Sequence, residues 1–150
     1  MSGKLILLVE DNQKDETLTL RALKKHCVEN EVVVAHDGAE ALDYLFARGL
    51  YGGRDPAAMP MLILLDLKLP KVDGLEVLKQ LRADHRTKLL PVVILTSSVE
   101  QRDLVESYSL GANSYVRKPV DFTEFADAVR QVGLYWMILN KQPSATPPNG

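Results

Sequence analysis

A single cysteine, Cys27, excludes an internal disulfide, and nothing else in the chain calls for an oxidising compartment. Its surroundings read as helix, so a half-buried structural thiol is the better assignment than a nucleophile. Long apolar runs are also missing. The first, residues 5–9, is cut short by Glu10 and Asp11. That is too short for a signal-peptide core and far too short for a membrane span, so a cytoplasmic location follows by default. Charge of one sign is scarce as well. The formal net charge is −2 and basic clusters are short, such as Lys24-Lys25, which argues against direct nucleic-acid binding through a basic stripe. Glycines are absent after the first apolar run, where Glu10-Asp11-Asn12-Gln13 stand instead. A dinucleotide-binding turn and a P-loop are thereby excluded.

What is present has a clear rhythm. The 150 residues, 46% hydrophobic and 25% charged, suit one ordinary globular domain. Five short runs rich in Leu, Ile and Val fall at residues 5–9, 32–35, 61–65, 92–95 and 115–116. The first, third and fourth are apolar at successive positions, as strands buried on both faces of a parallel sheet require. Helical periods fill the gaps: Leu20, Leu23 and Cys27; Leu42, Leu45 and Phe46; Leu75, Leu78 and Leu81; Leu104, Val105 and Tyr108; Phe122, Phe125, Ala126 and Val129. Asp121 and Glu124 have the spacing of a capping box before the last helix. Strand and helix alternating five times predict an α/β fold with right-handed crossovers and helices on both faces. A flavodoxin-like five-stranded parallel sheet of order 2-1-3-4-5 is the natural arrangement.

Two segments break the rhythm. Residues 49–60 hold three glycines and two prolines and read as a long loop. Because it runs from a helix into the third strand, it belongs at the strands' N-terminal edge, away from any ligand site. Residues 141–150 read as a disordered tail, which leaves 1–140 as the domain.

In an open parallel sheet, ligands bind beyond the carboxyl ends of the strands, where strand order reverses. Here that crevice lies between the first and third strands, which end in Glu10-Asp11 and Asp66. Three converging carboxylates repel one another unless a cation sits among them. Mg²⁺ fits, because it binds through few protein carboxylates and several waters. The fourth strand ends in Thr96 and the fifth leads into Lys118-Pro119. A hydroxyl and an ammonium beside a metal-binding carboxylate are what phosphoryl transfer needs, with Asp66 as nucleophile.

With Glu10-Asp11, Asp66, Thr96 and Lys118-Pro119 in register, the sequence resembles the receiver domains of bacterial two-component response regulators. The stretch Leu65-Asp66-Leu67-Lys68-Leu69-Pro70, with Asp73-Gly74 after it, is similar to the family's phosphoacceptor loop. Gly111-Ala112 and Tyr115 match the segment entering the fifth strand. The resemblance covers nearly the whole chain. It implies Asp66 as phosphorylation site, with Asp11, Asp66 and the Lys68 backbone carbonyl as Mg²⁺ ligands and Glu10 acting through water. It also implies Lys118 on the phosphoryl oxygens, Thr96 and Tyr115 as switch residues, and a cis peptide before Pro119. The switching surface would be the fourth helix, fifth strand and fifth helix. A single-domain regulator of this kind has a histidine kinase as partner and is a phosphoacceptor, not an enzyme with turnover.

Lys118-Pro119-Val120-Asp121-Phe122 and the ending Tyr135-Trp136-Met137-Ile138-Leu139-Asn140 further resemble the small receivers of phytochrome-type kinases. Residues 134–139 are apolar in succession, so a helix there presents apolar groups on all sides. A single sheet cannot cover them all, and a homodimer through Tyr135, Trp136, Ile138 and Leu139 is the favoured solution over a helix that folds back. Against an acid-dehalogenase-type phosphatase stands Lys68, where such an enzyme needs a second aspartate. A degenerate receiver that only binds protein stays open as the alternative. His26, His36 and His85 have no metal-ligand spacing.

Overall fold

The computed structural model describes residues 5–26, 30–97 and 100–131. Five strands, β1 (Leu5–Val9), β2 (Glu31–Ala35), β3 (Leu62–Leu65), β4 (Val92–Thr96) and β5 (Ser114–Arg117), alternate with five helices. The helices are α1 (Gln13–His26), α2 (Gly38–Leu45), α3 (Gly74–Ala83), α4 (Gln101–Ser109) and α5 (Phe122–Gln131). All pairings are parallel, in the order β2-β1-β3-β4-β5. This is the flavodoxin-like arrangement that the sequence predicts.

Side-chain alternation along the central strands divides the core into two layers. Leu7, Val9, Ile63, Leu65, Val92 and Ile94 pack with Leu42, Leu45, Val77, Leu78 and Leu81 of α2 and α3. The opposite row, Ile6, Leu8, Leu62, Leu64, Val93 and Leu95, packs with Leu23 of α1 and Phe125, Ala126 and Ala128 of α5. Each fully buried leucine here contributes roughly 2 kcal/mol of transfer free energy. The sheet's centre is therefore the least negotiable part of the chain.

The helices start where the sequence supplies caps. Asp37 accepts from the Glu40 N–H at 2.7 Å, Asp73 from the Glu76 N–H at 3.0 Å, and Asp121 from the Glu124 N–H at 3.1 Å. Gly74, first residue of α3, is held against the end of β3, its N–H donating to the Leu67 carbonyl at 2.9 Å. A Cβ there would lie 2.6 Å from Leu67 Cα, so only glycine permits the approach. Gly111 turns α4 into β5 with a φ of 104°. Arg82 spreads its guanidinium over this corner, donating to the Gly111 carbonyl at 2.8 and 3.0 Å, to Asn113 Oδ1 at 2.9 Å and to the Leu90 carbonyl at 2.8 Å.

Two departures from the sequence pattern are instructive. Residues 49–60 are more ordered in their bonding than a plain loop. A 3₁₀ turn spans Gly49–Tyr51, and Tyr51 bonds Glu40. Arg54 lies over the Tyr44 ring at 4.2 Å while donating to the carbonyls of Tyr44, Leu45 and Ala58. The segment thus caps the end of α2 at the strands' N-terminal edge. Helix α4 departs in the other direction. Its apolar period at Val105 and Tyr108 does not face the core, since these residues are 57% and 46% exposed, and Ser107 is the buried residue of the helix. Residues 132–150, which include the expected interface residues Tyr135, Trp136, Ile138 and Leu139 and the tail, lie outside the described residues.

Candidate functional site

The site grows out of the same alternation that builds the core. Glu10 continues the Ile6–Leu8 row beyond β1, Asp66 continues Leu62–Leu64 beyond β3, and Lys118 follows Val116 beyond β5. All three rows belong to the α1 and α5 side of the sheet. Strand pairing extends one residue further to fix their heights. The Glu10 N–H donates to the Ala35 carbonyl at 2.9 Å, that of Asp66 to the Val9 carbonyl at 3.1 Å, and that of Lys118 to the Thr96 carbonyl at 2.8 Å. Three charged side chains thus meet at the carboxyl edge because their backbones are sheet-bonded, not because a loop folds over.

Their meeting point is the Lys118 ammonium. Nζ lies 2.5 Å from Glu10 Oε1, 3.0 Å from Asp66 Oδ2 and 3.0 Å from Asp15 Oδ2. The Lys118 side chain is only 7% exposed, and Glu10 and Asp66 are buried. The Asn12 N–H donates to Glu10 Oε2 at 3.1 Å, and the Lys68 N–H to Asp66 Oδ1 at 3.3 Å. Burying a carboxylate disfavours its charged form. Burial pushes the Glu10 carboxyl up to about 7, against the pull of its Lys118 hydrogen bond and with added repulsion from Asp66. For Lys118, burial acts downward but is outweighed by the Glu10 hydrogen bond and the charge of Asp66, which hold the ammonium above the usual lysine range.

Glu10, Asp11 and Asp66 each offer a carboxylate oxygen, all within 4.8 Å of one another. Asp11 is exposed at the rim. An all-oxygen acidic donor set with one solvent-facing member suits a hard divalent cation that keeps part of its water shell. Lys68 is exposed and lines a cleft beside it with Asp11, Asp73, Glu100 and Arg102.

Thr96 and Tyr115 stand apart from this cluster by strand parity. Thr96 is buried at the end of the Val92–Ile94 row, which faces the other layer. Tyr115 pairs with Ile94, two residues before Thr96 pairs with Arg117. It is half-buried in a cleft with Glu100, Gln101, Leu104 and Glu124, on the α4 side. The Lys118–Pro119 peptide is cis. His36 bridges to Glu16 at 3.0 Å, tying α1 to the end of β2.

The sequence profile of the response regulator receiver domain matches residues 6–130. The chain belongs to the response regulator receiver family. Among solved receivers, the bacteriophytochrome response regulator AtBRR is 54% identical, with a TM-score of 0.82 covering 93% of this chain and 99% of that one. The Mn²⁺-bound form of the response regulator Rcp1 is 35% identical, with a TM-score of 0.73 covering 97% of this chain and 99% of that one; Rcp1 is from Synechocystis sp.. The probable methanogenesis regulatory protein FilR2 of Methanothrix harundinacea is 41% identical over 93% of this chain and 87% of its own length. Receivers serve two-component signalling and bind a divalent cation at an acidic pocket, for which this one has the Glu10-Asp11-Asp66 group. No described helix of this receiver is long and apolar enough to cross a membrane.

Two residues of the site escape a reading by strand ends. Asn12 orders Glu10 through its backbone N–H and caps α1 by accepting from the Asp15 N–H at 2.9 Å. Asp15 reaches Lys118 from the first turn of that helix. The signal was present as Asn12 followed three residues later by an acid. Taken alone that pattern signals only a helix start, because nothing local reveals that the helix's first turn overhangs β5.

Proposed function

We propose that this receiver is a response regulator that accepts a phosphoryl group on Asp66 from a histidine kinase. The observation that carries the reading is the Lys118 ammonium fixed 3.0 Å from Asp66 Oδ2 in a buried acidic pocket at the sheet's carboxyl edge. An Asp66 carboxylate oxygen attacks phosphorus in line and forms the new O–P bond. The N–P bond of the kinase phosphohistidine breaks, its electron pair staying on the imidazole, which leaves neutral because its second nitrogen carries a proton. Lys118 follows the charge onto the phosphoryl oxygens. Asp11, Asp66 and the Lys68 carbonyl, with Glu10 acting through water, would hold a Mg²⁺, which would supply the remaining neutralisation of those oxygens. The donor set described above fits it, and the Mn²⁺-bound Rcp1 structure supports a divalent ion.

The added charge biases a two-state element. Thr96 and Tyr115 lie on the α4 side of the sheet, beside a helix with little buried surface of its own. That supports a readout through α4, β5 and α5, with Thr96 drawn to the phosphoryl group and Tyr115 turning inward. The identity to AtBRR supports a phytochrome-type kinase as the donor. The apolar run at 134–139 supports a homodimer through Tyr135, Trp136, Ile138 and Leu139, which sedimentation of the Trp136→Ala chain tests by loss of the dimer. The net charge of −2 and the default cytoplasmic reading complete a signalling protein with no DNA-binding role and no turnover beyond gain and loss of its own phosphoryl group. Labelling by acetyl phosphate that persists in Asp66→Asn would overturn the assignment.

A further inference from the structure

Asp15 has no part in the mechanism above, which needs only groups at the strand ends. Yet it supplies one of three carboxylates around a single ammonium. An ammonium has three N–H donors; two of them bond Asp15 Oδ2 and Asp66 Oδ2, each at 3.0 Å, and Glu10 Oε1 lies against the same ammonium as an ion pair. The Asp15 bond therefore keeps one donor of Lys118 turned away from an incoming phosphoryl group until it opens. Glu10 is buried and held by the Asn12 N–H, and Asp66 is itself the reacting group. Asp15 is 34% exposed and sits on a helix's first turn, so its bond opens at the lowest cost. Helix-start electrostatics alone account for an acid at residue 15. They do not account for its aim at a buried lysine 103 residues away.

We propose that Asp15 is a positioning residue that restrains phosphoryl transfer, holding one N–H of Lys118 away from the incoming group and setting a negative charge in the donor's path. The inference rests on Asp66 being the phosphoacceptor. In the step it slows, Asp66 forms the new O–P bond as the P–O bond to acetate breaks, and acetate leaves with the electron pair. Removing Asp15's charge weakens its hold on that N–H and lowers the repulsion on an anionic donor.

The test uses the full chain at saturating Mg²⁺, with labelling rates read by intact mass. Asp15→Asn and Asp15→Ser, both neutral, should label with acetyl phosphate about three- to tenfold faster than the parent at low ionic strength, a gain that shrinks as salt screens the charge. The gain should be smaller with phosphoramidate, whose net charge at neutral pH is half that of acetyl phosphate. The same variants should bind Mg²⁺ more weakly, because the pocket has lost a negative charge. Faster labelling beside weaker metal binding is a combination that local distortion does not produce. Asp43→Asn, the same charge change beside Arg48 at the far end of α2, should label like the parent. Unchanged or slower labelling in both Asp15 variants, or a gain indifferent to salt, overturns the inference while leaving Asp66 in place. A parent chain that never labels overturns the phosphoacceptor reading, and the role of Asp15 with it.

Discussion

Glu10 makes the pocket's stability depend on pH, and the size of the effect can be worked out. Its carboxyl is raised from 4.5 to about 7, chiefly by burial. A folded-state value above the unfolded one means that the folded chain holds this proton more tightly. The stabilisation is therefore complete below about pH 4.5 and is lost as pH rises, levelling off above about 7. Each tenfold in proton affinity is worth about 1.4 kcal/mol, so the loss between about pH 5 and pH 8 is about 2–3 kcal/mol. That is a large fraction of a typical domain's stability. Glu10→Gln keeps the shape and a hydrogen-bonding oxygen for Lys118 but cannot ionise. Urea unfolding in EDTA, followed by far-UV circular dichroism across this range, should show the parent losing that much more stability than the variant. The histidines are common to both chains and cancel in the difference. Parallel curves for the two proteins would refute the reasoning, because Glu10 would then carry no proton that folding retains.

Three further outcomes follow from the same geometry. Mg²⁺ binding should release the Glu10 proton, so affinity measured by calorimetry should rise about tenfold from about pH 6 to pH 8, and the rise should vanish in Glu10→Gln. Lys118→Met leaves Glu10, Asp66 and Asp15 facing one another without their cation and should cost about 3–5 kcal/mol at about pH 8 in the same unfolding assay. Gly74→Ala forces a Cβ against the backbone of Asp66 and Leu67. It should cost about 1–3 kcal/mol in a thermal melt and weaken Mg²⁺ binding by displacing the Lys68 turn.

Strand positions were legible because burial on both faces leaves no polar residue in β1 or β3, and none in β4 before Thr96. The run at residues 5–9 coincides with β1, and the other strands differ from their apolar runs by one residue at one end, or at both ends for β5. The expected differences lie where polar residues continue a strand, as Glu31, Thr96, Ser114 and Arg117 do. Backbone hydrogen bonding there ignores the hydropathy that marks the centre. The meeting of Glu10, Asp66 and Lys118 was legible because side-chain parity and strand order are both written in the sequence. Asp15 was not, because its place depends on the angle at which α1 leaves the sheet, which no local pattern encodes. Helix α4 misled in the opposite way: Val105 and Tyr108 repeat with a core helix's period but stay largely exposed. Periodicity reports an apolar face, not what covers it. The ordering of residues 49–60 by Arg54 and Tyr51 was equally hidden, since both residues act across ten or eleven positions.

The most direct test of the account is the intact mass of the chain after incubation with acetyl phosphate, with and without Mg²⁺, beside Asp66→Asn. The account predicts a gain of one phosphoryl group that requires the metal and is absent in the variant. A parent chain that stays unlabelled at saturating donor and Mg²⁺, or an Asp66→Asn chain that labels as the parent does, would contradict it.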